Sequence, residues 1–478
     1  MRTYDVLYIS HVIIRQNGTT RRYYTMRMNT LLAKVAMTLL LLLALALPAA
    51  ASDYTLGVFG NANEDDTVNM QDVTYTELII LEYRDETELS DAKYDGKINM
   101  QDVTQIELII LGKEKEITID DGAGGAVTVD KPVERILVEY TDNAEMVRAL
   151  GAKDKVAAVD YIISQTEIQF PDLSKLPCVG NMFRPDYEAV LNTNPDLLLS
   201  FTKAIDEKKE KLPDTAVVFL GLYYPDLSDP EGSRFTCGVR KLGYLLDARD
   251  EADEYINWRI GLIDDIKSRT GGISEEEKPR VFICSYGAII RGDTTFRTYA
   301  MVDTLTQMSI TAGGKNIAED LPDFGGPKNG ITVDCEWVIE QNPEFIIIHA
   351  VRYTWGGDTM EPSHGYDEDD PTDVAEQLVD ELMSRPEMAN VAAVANGNVY
   401  VMSGNFRNDA TGGSVGAAYM ARLFHPDLFA DMDPEAIHQE FLTDFQELDY
   451  DLNEHGVFVY PPIEIAGGLA GIPDRGTV

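Results

Sequence analysis

The chain is poor in basic residues. It has 40 Lys and Arg against 81 Asp and Glu in 478 residues, which gives a formal net charge of −41. A surface this acidic repels phosphate backbones and anionic lipid, and no cluster of basic side chains reverses the field locally. The composition therefore argues against nucleic acid as a partner.

Cysteine and histidine are also scarce. The four cysteines, Cys178, Cys237, Cys284 and Cys335, show no CxxC or CxxxC spacing, which argues against metal capture by thiolates. An exported protein could pair them in disulfides or keep them as buried thiols, and the sequence does not choose between these alternatives. The six histidines are not spaced for a joint site. Binding of a bare metal ion is therefore not expected.

Long apolar runs are absent except for one near the N-terminus. Arg21, Arg22 and Arg27 precede an apolar run at 35–47, and small residues follow it. This order is typical of a secretory signal peptide, and the run is short for a membrane span. We predict that residues 1–52 are a signal region that is cleaved on export, with an uncleaved anchor as the alternative. The rest of the chain is then extracytoplasmic, at the cell surface or in the periplasm.

A repeated segment follows the signal region. Residues 68–74 (VNMQDVT) recur as 98–104 (INMQDVT), and the helical stretch ELIIL at 77–81 recurs at 107–111. Each copy joins an oxygen-rich loop to an amphipathic helix. Oxygen-bearing residues alternate in these loops as they do in twelve-residue calcium loops, in which the last ligand lies on the first turn of the following helix.

The two loops predict two Ca²⁺ sites. The expected ligands of the first loop are Asn61, Asn63, Asp65, the carbonyl of Thr67, Asn69 and Asp72. Those of the second loop are Asp91, Asp95, the carbonyl of Lys97, Asn99 and Asp102. Lys93 stands where the second loop should have an oxygen ligand. Because an ammonium near a dication is strongly repelled, we expect the Lys93 side chain to turn outward.

Residues 61–112 resemble a dockerin, a paired loop-helix module that docks onto a cohesin module of another protein. The resemblance implies that residues 53–116 form a small all-α domain that folds with calcium. The alternative is a helical pair that is stable without metal. The partner-contacting positions of the family fall on Met70, Gln71, Met100 and Gln101.

Beyond residue 116, short apolar runs alternate with helical stretches, which is typical of an α/β architecture. A second duplication lies here: residues 188–199 (EAVLNTNPDLLL) match 336–347 (EWVIEQNPEFII), each reading as a short helix, an Asn-Pro stop and a buried strand. Arg135 and Arg280 open the two halves. The predicted strands are 135–139, 156–159, 196–201, 216–220, 280–284, 345–349 and 399–402.

The duplication predicts two similar α/β lobes. Apolar residues recur at helical spacing across 251–269, which predicts one long helix between the lobes. We therefore expect residues 117–478 to form a two-lobed domain with a ligand cleft between the lobes. The expected bounds are about 117–245 for the N-lobe, about 250–270 for the bridging helix and about 279–478 for the C-lobe.

Five phrases in this region are distinctive: "RILVEYTDNAEMVRALGAKDKVAAVD" from Arg135, "FPDLSKLPCVGNMFRPDYEAVLNTNPDLLL" from Phe170, "AGGKNIAED" from Ala312, "ITVDCEWVIEQNPEFIII" from Ile331 and "VANGNVYVM" from Val394. In the order and spacing of these phrases, most of residues 117–460 resembles the helix-backbone periplasmic substrate-binding proteins that feed ABC importers of ferric siderophores, haem and corrinoids. The resemblance implies a binding protein and not an enzyme, a chelated metal or a corrinoid or haem as ligand, and an ABC transporter permease as partner. One glutamate on each lobe contacts the permease in that family, and the matching residues are Glu188 and Glu336.

Ligand residues are expected in the loops beyond the carboxyl ends of the strands. Arginine and tyrosine in such loops suit a large anionic or aromatic ligand, through paired hydrogen bonds to carboxylates and ring stacking. The candidates are Arg184, Tyr187, Tyr286, Arg291, Arg297, Tyr299, His349, Arg352, Tyr353, Trp355 and Arg407.

Two enzymatic alternatives remain open at this level. Dockerins often carry glycan-degrading enzymes, so a polysaccharide hydrolase on a surface scaffold is the main alternative. No HExxH motif supports it, but paired carboxylates could serve in so acidic a chain. A nitrogenase-type metallocluster enzyme would share the lobe plan, but it would need clustered cysteines, and those of this chain are dispersed.

Overall fold

The computed structural model describes residues 55–223, 225–350, 353–355, 358–360, 365–372, 374–408, 410–411 and 413–473, with the backbone alone at 353–355, 358–360 and 408. The predicted signal region at 1–52 lies outside the described residues. Among the described helices, none is both long enough and apolar enough to cross a membrane.

Helices make up much of the described chain. The α-helices are α1 (Met70–Ile80), α2 (Met100–Leu111), α3 (Thr141–Ala149), α4 (Tyr161–Ser164), α5 (Tyr187–Thr193), α6 (Asp206–Lys211), α7 (Arg234–Leu246), α8 (Arg249–Thr270), α9 (Gly287–Ile290), α10 (Thr304–Thr311), α11 (Cys335–Gln341), α12 (Ala375–Met383), α13 (Ala392–Asn396), α14 (Asn405–Asn408), α15 (Ser414–Phe424) and α16 (Pro434–Glu440). Short 3₁₀ turns lie at Glu88–Ser90, Lys153–Lys155, Leu173–Lys175 and Pro386–Met388, and a π-helical turn lies at Phe441–Phe445.

The strands are short. They are β1 (Glu116–Asp120), β2 (Ala126–Asp130), β3 (Ile136–Val138), β4 (Val156–Val159), β5 (Gly180–Asn181), β6 (Arg184–Pro185), β7 (Leu197–Leu199), β8 (Ala216–Val218), β9 (Arg280–Ser285), β10 (Thr295–Tyr299), β11 (Lys315–Asn316), β12 (Gly330–Asp334), β13 (Phe345–Ala350), β14 (Tyr353–Trp355), β15 (Asp358–Met360), β16 (Val399–Ser403), β17 (Val459–Tyr460), β18 (Ile463–Ile465) and β19 (Gly468–Ala470).

Two mainly parallel sheets form the framework of the described residues. The N-lobe sheet has the order β4-β3-β7-β8, and the C-lobe sheet has the order β11-β9-β13-β16-β17, with only β17 antiparallel. Parallel strands need crossover connections, and helices supply them. All the strands predicted from sequence are present, with ends within two residues of the prediction. The expected α/β architecture is confirmed.

The duplicated sequence encodes one capped helix in each lobe. α5 and α11 both end at an asparagine in the left-handed conformation, Asn194 and Asn342, each with φ of 46°. Arg135 donates to the carbonyl of Asn194 (3.1 Å), and Arg280 donates to the carbonyl of Asn342 (2.7 Å). The last carbonyls of a helix lack partners within it, so these guanidinium groups satisfy them.

The bridging helix is α8, which has 22 residues and is about 33 Å long. It begins and ends within a residue of the predicted bounds. Its buried face includes Tyr255, Ile256 and Ile263, and these side chains belong to a hydrophobic cluster that contains residues of both lobes. A rigid helix therefore joins the lobes, as the sequence predicted.

The N-terminal helix pair packs into the N-lobe, and the prediction of a separate all-α domain at 53–116 is not supported. Val58 forms an antiparallel bridge with Ile119 of β1, and the Val68 N–H donates to the Tyr244 hydroxyl of α7 (3.0 Å). The apolar side chains of the pair belong to the same core cluster as those of the N-lobe. The predicted boundary at 116 falls inside β1, so residues 55–116 are part of one packed unit.

The four cysteines are free thiols in the structure. Cys284 and Cys335 are buried, Cys237 is half-buried and Cys178 is exposed. Burial raises the pKa of Cys284 to about 12, which makes its thiol unreactive. The alternative of buried thiols is thus confirmed for two of the four.

Candidate functional site

Aromatic residues follow the carboxyl ends of the N-lobe strands. Tyr140 comes after β3, Phe201 after β7 and Tyr223 after β8, while Phe183 lies in the turn between β5 and β6. The ring centroids of Tyr140 and Phe201 are 4.2 Å apart, those of Phe201 and Tyr223 are 5.3 Å apart, and those of Phe183 and Phe201 are 6.3 Å apart. We call these four residues the aromatic cluster. Phe183 is 47% exposed, so the cluster reaches solvent.

Buried polar contacts fix the aromatic cluster in place. Glu139, which directly follows β3, accepts a hydrogen bond from the Phe201 N–H (3.1 Å) and pairs with the Lys208 ammonium (2.5 Å). Tyr140 has a φ of 71°, a conformation that non-glycine residues rarely adopt. Such strain persists where the surroundings impose it, and it is concentrated at functional sites. These aromatic residues were not predicted from the sequence, although the position of Tyr140 directly after the predicted strand 135–139 was a usable signal.

The C-lobe brings three of the predicted ligand residues together. Tyr299 Oη and His349 Nδ1 are 2.8 Å apart. The Arg407 guanidinium lies 5.7 Å from the ring centre of Tyr299 and 5.6 Å from that of Tyr223 in the N-lobe. Arg407 also pairs with the buried Asp303 carboxylate (2.6 Å). Arg407 therefore lies where the two lobes meet, against the aromatic cluster.

The charge states in this region follow from burial. Burial alone would lower the pKa of Arg407, but the Asp303 carboxylate, together with Tyr223 and Tyr299, raises it by more than burial lowers it, so the guanidinium stays cationic. Burial raises the pKa of Tyr299, so its hydroxyl stays neutral. The region thus combines a fixed cation with neutral hydrogen-bonding groups and aromatic faces.

Three other predicted ligand residues lie outside the group formed by Tyr299, His349 and Arg407. The Tyr286 N–H donates to the carbonyl of His349 (3.1 Å), and the Arg297 guanidinium lies 5.8 Å from the ring centre of Tyr299. Arg291 pairs with the adjacent Asp293 (2.8 Å).

The remaining candidates divide between the N-lobe and the residues that are not described. Arg184 is exposed beside Phe183, and Tyr187 is half-buried in α5. Arg352 lies outside the described residues, as do the side chains of Tyr353 and Trp355.

Glu188 and Glu336 occupy equivalent places in the two lobes. They lie in the first turns of α5 and α11, and both are exposed. Asp186 caps α5 by accepting from the backbone N–H of Glu188 (3.1 Å), which fixes the start of that helix. The duplicated unit therefore presents one exposed carboxylate on each lobe.

The first oxygen-rich loop is organised around Asp72. This buried carboxylate accepts from the N–H groups of Asn63 (3.1 Å) and Asn69 (2.7 Å). Burial raises the pKa of Asp72 to about 6. Asn61 Oδ1 is buried and has no hydrogen-bond partner among the described residues. A hard cation would satisfy this oxygen and offset the cost of burying the carboxylate, so the residues present fit Ca²⁺.

The second loop has the same arrangement. Asp102 accepts from the backbone N–H groups of Lys93 (3.0 Å) and Asn99 (2.8 Å). The Lys93 ammonium pairs with Glu116 outside the loop, which confirms the predicted outward turn. Among the described residues, no group of three or more His, Cys, Asp or Glu side chains has the geometry of a metal site. Asparagine and backbone oxygens would therefore have to supply part of any coordination.

Residues 412–416 match the GxSxG pattern, which is typical of an esterase nucleophile. Ser414 is fully buried at the start of α15, and its hydroxyl donates to the carbonyl of Thr411 (2.7 Å). A nucleophile elbow needs an exposed serine between a strand and a helix, and here the preceding element is α14. The GxSxG match therefore does not form a nucleophile elbow, and Ser414 has a structural role.

Sequence comparison places the chain among known binding proteins. The profile of the family described as "Periplasmic binding protein" matches residues 136–405, more than half of the chain. A curated relative is the uncharacterized ABC transporter substrate-binding lipoprotein YvrC of Bacillus subtilis (strain 168). It is 24% identical over 236 residues, which cover 48% of this chain and 68% of the relative.

Solved structures share the fold. The TroA-like periplasmic binding protein FepB from Veillonella parvula has a TM-score of 0.56 at 21% identity, covering 72% of this chain and 98% of that chain. The molybdate periplasmic binding protein MolA of Haemophilus influenzae, bound to molybdate, has a TM-score of 0.55 at 17% identity, covering 70% and 99%. The hydrolase and metallocluster alternatives are set aside, because the chain belongs to the periplasmic binding protein family and is a non-enzymatic substrate-binding protein of an ABC transporter.

Proposed function

We propose that this substrate-binding protein captures a chelated metal, such as a ferric siderophore, or a haem or corrinoid, between its lobes. The observation that carries the proposal is the aromatic cluster of the N-lobe together with Arg407, whose guanidinium lies against both Tyr223 and Tyr299. Aromatic faces stack on planar chelator rings, and a guanidinium pairs with anionic groups.

A small oxyanion is the second candidate, because the MolA structure holds molybdate. An oxyanion is bound by hydrogen-bond donors and cations and gains little from aromatic faces. The aromatic cluster therefore favours a larger ligand with rings of its own.

A thermal-shift panel on residues 53–478 tests this proposal. The probes are catecholate and hydroxamate ferric siderophores, haem, cobalamin, molybdate and free divalent metals. A ligand at about 100 times its Kd adds roughly 2.7 kcal/mol to the free energy of unfolding, which raises Tm by a few degrees. A hit from a chelate class supports the proposal, and a hit from molybdate or a free metal alone contradicts it.

Variants then test the aromatic cluster. Phe201→Ala should raise the Kd of the chelate at least about fivefold, because a stacked ring contributes about 1 kcal/mol beyond its buried area. Tyr83→Ala is the matched control, since Tyr83 is 76% exposed on the N-terminal helix pair, far along the chain from the strand ends. An unchanged Kd in Phe201→Ala would show that the cluster is not the binding surface.

We also propose that Glu188 and Glu336 dock onto basic residues of the permease. Their exposure at equivalent positions of the duplicated unit supports contact with a partner that has matching halves. The double variant Glu188→Arg with Glu336→Arg should abolish uptake and leave ligand affinity unchanged. Glu340→Arg, on the same helix as Glu336, is the control. Normal uptake by the double variant would reject this role.

For the helix pair, we propose that the two loops bind Ca²⁺ and that the exposed methionines contact a cohesin-like module. The unpaired Asn61 Oδ1 and the buried Asp72 support the cation. Met70 is 59% exposed and Met100 is 57% exposed, at the same turn of α1 and α2, which supports a partner surface. Gln71 and Gln101 lie next to them and are also exposed.

Calorimetric titration of residues 53–478 with Ca²⁺ tests the loops, and Asp72→Ala should remove one site. Absence of heat on addition of Ca²⁺ would reject the cation.

Binding of a cohesin-like module in the presence of Ca²⁺ tests the partner surface. Met70→Glu with Met100→Glu should abolish this binding without changing Ca²⁺ affinity. Equal partner binding by the methionine variant would reject the surface.

A further inference from the structure

One buried carboxylate joins the two lobes outside the ligand-facing residues. Glu145 lies on α3 of the N-lobe and is fully buried. Its Oε2 accepts a hydrogen bond from the backbone N–H of Ala410 in the C-lobe (2.5 Å), and its Oε1 accepts from the side-chain amide of Gln169. Both carboxylate oxygens therefore accept from N–H donors, and one of the donors belongs to the opposite lobe.

The same contact is enclosed from two further sides. The Tyr255 hydroxyl of the bridging helix donates to the carbonyl of Ala410. The side-chain amide of Gln446, near the C-terminal end of the C-lobe, donates to the backbone carbonyl of Glu145 (3.2 Å). The N-lobe, the bridging helix and the C-lobe thus meet around the pair of residues Glu145 and Ala410.

The segment that Glu145 holds is the one that carries Arg407. Arg407 precedes Ala410 by three positions in the chain, and its guanidinium lies between Tyr223 of the N-lobe and Tyr299 of the C-lobe. A displacement of Ala410 would therefore move Arg407 relative to the aromatic cluster. A shift of about 1 Å at a positioning contact is enough to weaken a site substantially.

The surroundings of Glu145 contain little compensating charge. Burial raises its pKa to about 7, while the N–H bonds from Ala410 and Gln169 and the charge of Arg148 act in the opposite direction. Protonation would place a hydrogen on one oxygen and remove one of the two acceptors. The titratable and charged groups that face it are Asp142 and Arg148 on α3 and Tyr255 on α8, and the other neighbours, Gln169 and Gln446, are neutral.

We propose that Glu145 is a positioning residue of the cleft: its carboxylate fastens the segment with Arg407 and Ala410 to the N-lobe and thereby sets the place of Arg407 between Tyr223 and Tyr299. The contact itself needs no ligand. Its effect on ligand affinity rests on the proposed function.

Amide exchange of the ligand-free protein tests the contact. In Glu145→Ala, the Ala410 amide should exchange with deuterium at least about tenfold faster than in the unsubstituted protein. Asp160→Asn is the matched control, because Asp160 is a fully buried acid of the same lobe whose hydrogen bonds lie within the N-lobe. Equal exchange at Ala410 in Glu145→Ala and in the unsubstituted protein would overturn the proposal.

A pH profile separates this role from a general contribution to folding, and it serves if Glu145→Ala does not fold. In the unsubstituted protein, protection of the Ala410 amide, corrected for intrinsic exchange, should change as pH passes through about 7. In Glu145→Gln, which cannot titrate at this position, the profile should differ from that of the unsubstituted protein by the loss of this change, while other buried acids titrate in both. A flat profile in the unsubstituted protein would overturn the proposal.

Ligand affinity provides a third measurement. The Kd of whichever probe binds in the thermal-shift panel should rise about tenfold in Glu145→Ala, and an unchanged Kd in that variant would overturn the link to Arg407. If no probe binds, the proposed ligand class fails, while the exchange experiments still decide the role of Glu145.

Discussion

At the residue scale, several buried acids lie on or near α3. Asp142, Glu145 and Asp160 are each at most 2% exposed, and burial raises their pKa values to about 8, about 7 and about 7. In the unfolded chain the same groups titrate near 4. Between these values the native state binds more protons than the unfolded state, so these groups lower the free energy of unfolding as pH rises from about 4 to 8.

Asp160→Asn tests this pH dependence. Asparagine keeps the cap that Asp160 provides to the Ile163 N–H (3.1 Å) but carries no charge. We expect the variant to melt a few degrees above the unsubstituted protein at pH 8.5, with the difference shrinking as pH falls and vanishing below about pH 4, measured by calorimetry. Asp444→Asn, at an exposed position, should change neither value. Parallel pH profiles for Asp160→Asn and the unsubstituted protein would contradict the expectation.

At the scale of elements, the arginine caps of α5 and α11 hold the helices that present Glu188 and Glu336. Arg135→Ala and Arg280→Ala should each lower the free energy of unfolding by about 1–2 kcal/mol, because each leaves helix-end carbonyls without a donor. Urea denaturation measures this change. Arg291→Ala is the control, since Arg291 pairs with the nearby Asp293 at the surface and its loss should cost under about 0.5 kcal/mol.

The second oxygen-rich loop offers a gain-of-function test of calcium binding. Lys93→Asp would place a carboxylate at the ligand position from which the ammonium now turns away toward Glu116. We expect the Ca²⁺ affinity of this loop to rise about tenfold, measured by isothermal titration. Lys97→Ala should have little effect, because its expected contribution is a backbone carbonyl. Equal affinity for Lys93→Asp and the unsubstituted protein would argue against a cation in this loop.

At the scale of the whole molecule, the helix pair and the N-lobe share one core. Leu56, Val58, Val68 and Ile106 are buried in the same cluster as the N-lobe residues. Removal of residues 53–116 would expose apolar surface of the N-lobe, and burial of such surface stabilises by roughly 25 cal/mol per Å².

The fragment 117–478 should therefore melt well below residues 53–478, by more than about 10 °C, or fail to remain soluble. Differential scanning calorimetry of the two forms measures the difference. Identical melting temperatures would show that the pair is an independent module, as the sequence first suggested.

Much of the fold could be predicted because its signals are local. Apolar runs bounded by turn residues predicted the strands of both sheets, and helical spacing across 251–269 predicted the bridging helix to within a residue or two. The repeated Asn-Pro stop predicted two similar lobes. Each of these depends on a few adjacent residues, so the chain reveals it without a structure.

The cleft could be predicted only in part. The rule that ligands lie beyond the ends of parallel strands selected Tyr299, His349 and Arg407, which the fold does bring together. It did not select Tyr140 or Phe201, because an aromatic residue after a strand is common and its neighbours cannot be known until the strands are ordered in a sheet.

The sequence by itself determined the α/β class, the two lobes, the bridging helix and the family to which the chain belongs. Only the tertiary structure decided that the helix pair shares the N-lobe core, that Asp303 forms an ion pair with Arg407, and that Glu145 meets Ala410, 265 residues away in the chain. The physical reason is the distance along the chain over which each effect acts. Periodicity and turn chemistry act over a few residues, whereas burial and charge compensation depend on which distant elements pack together.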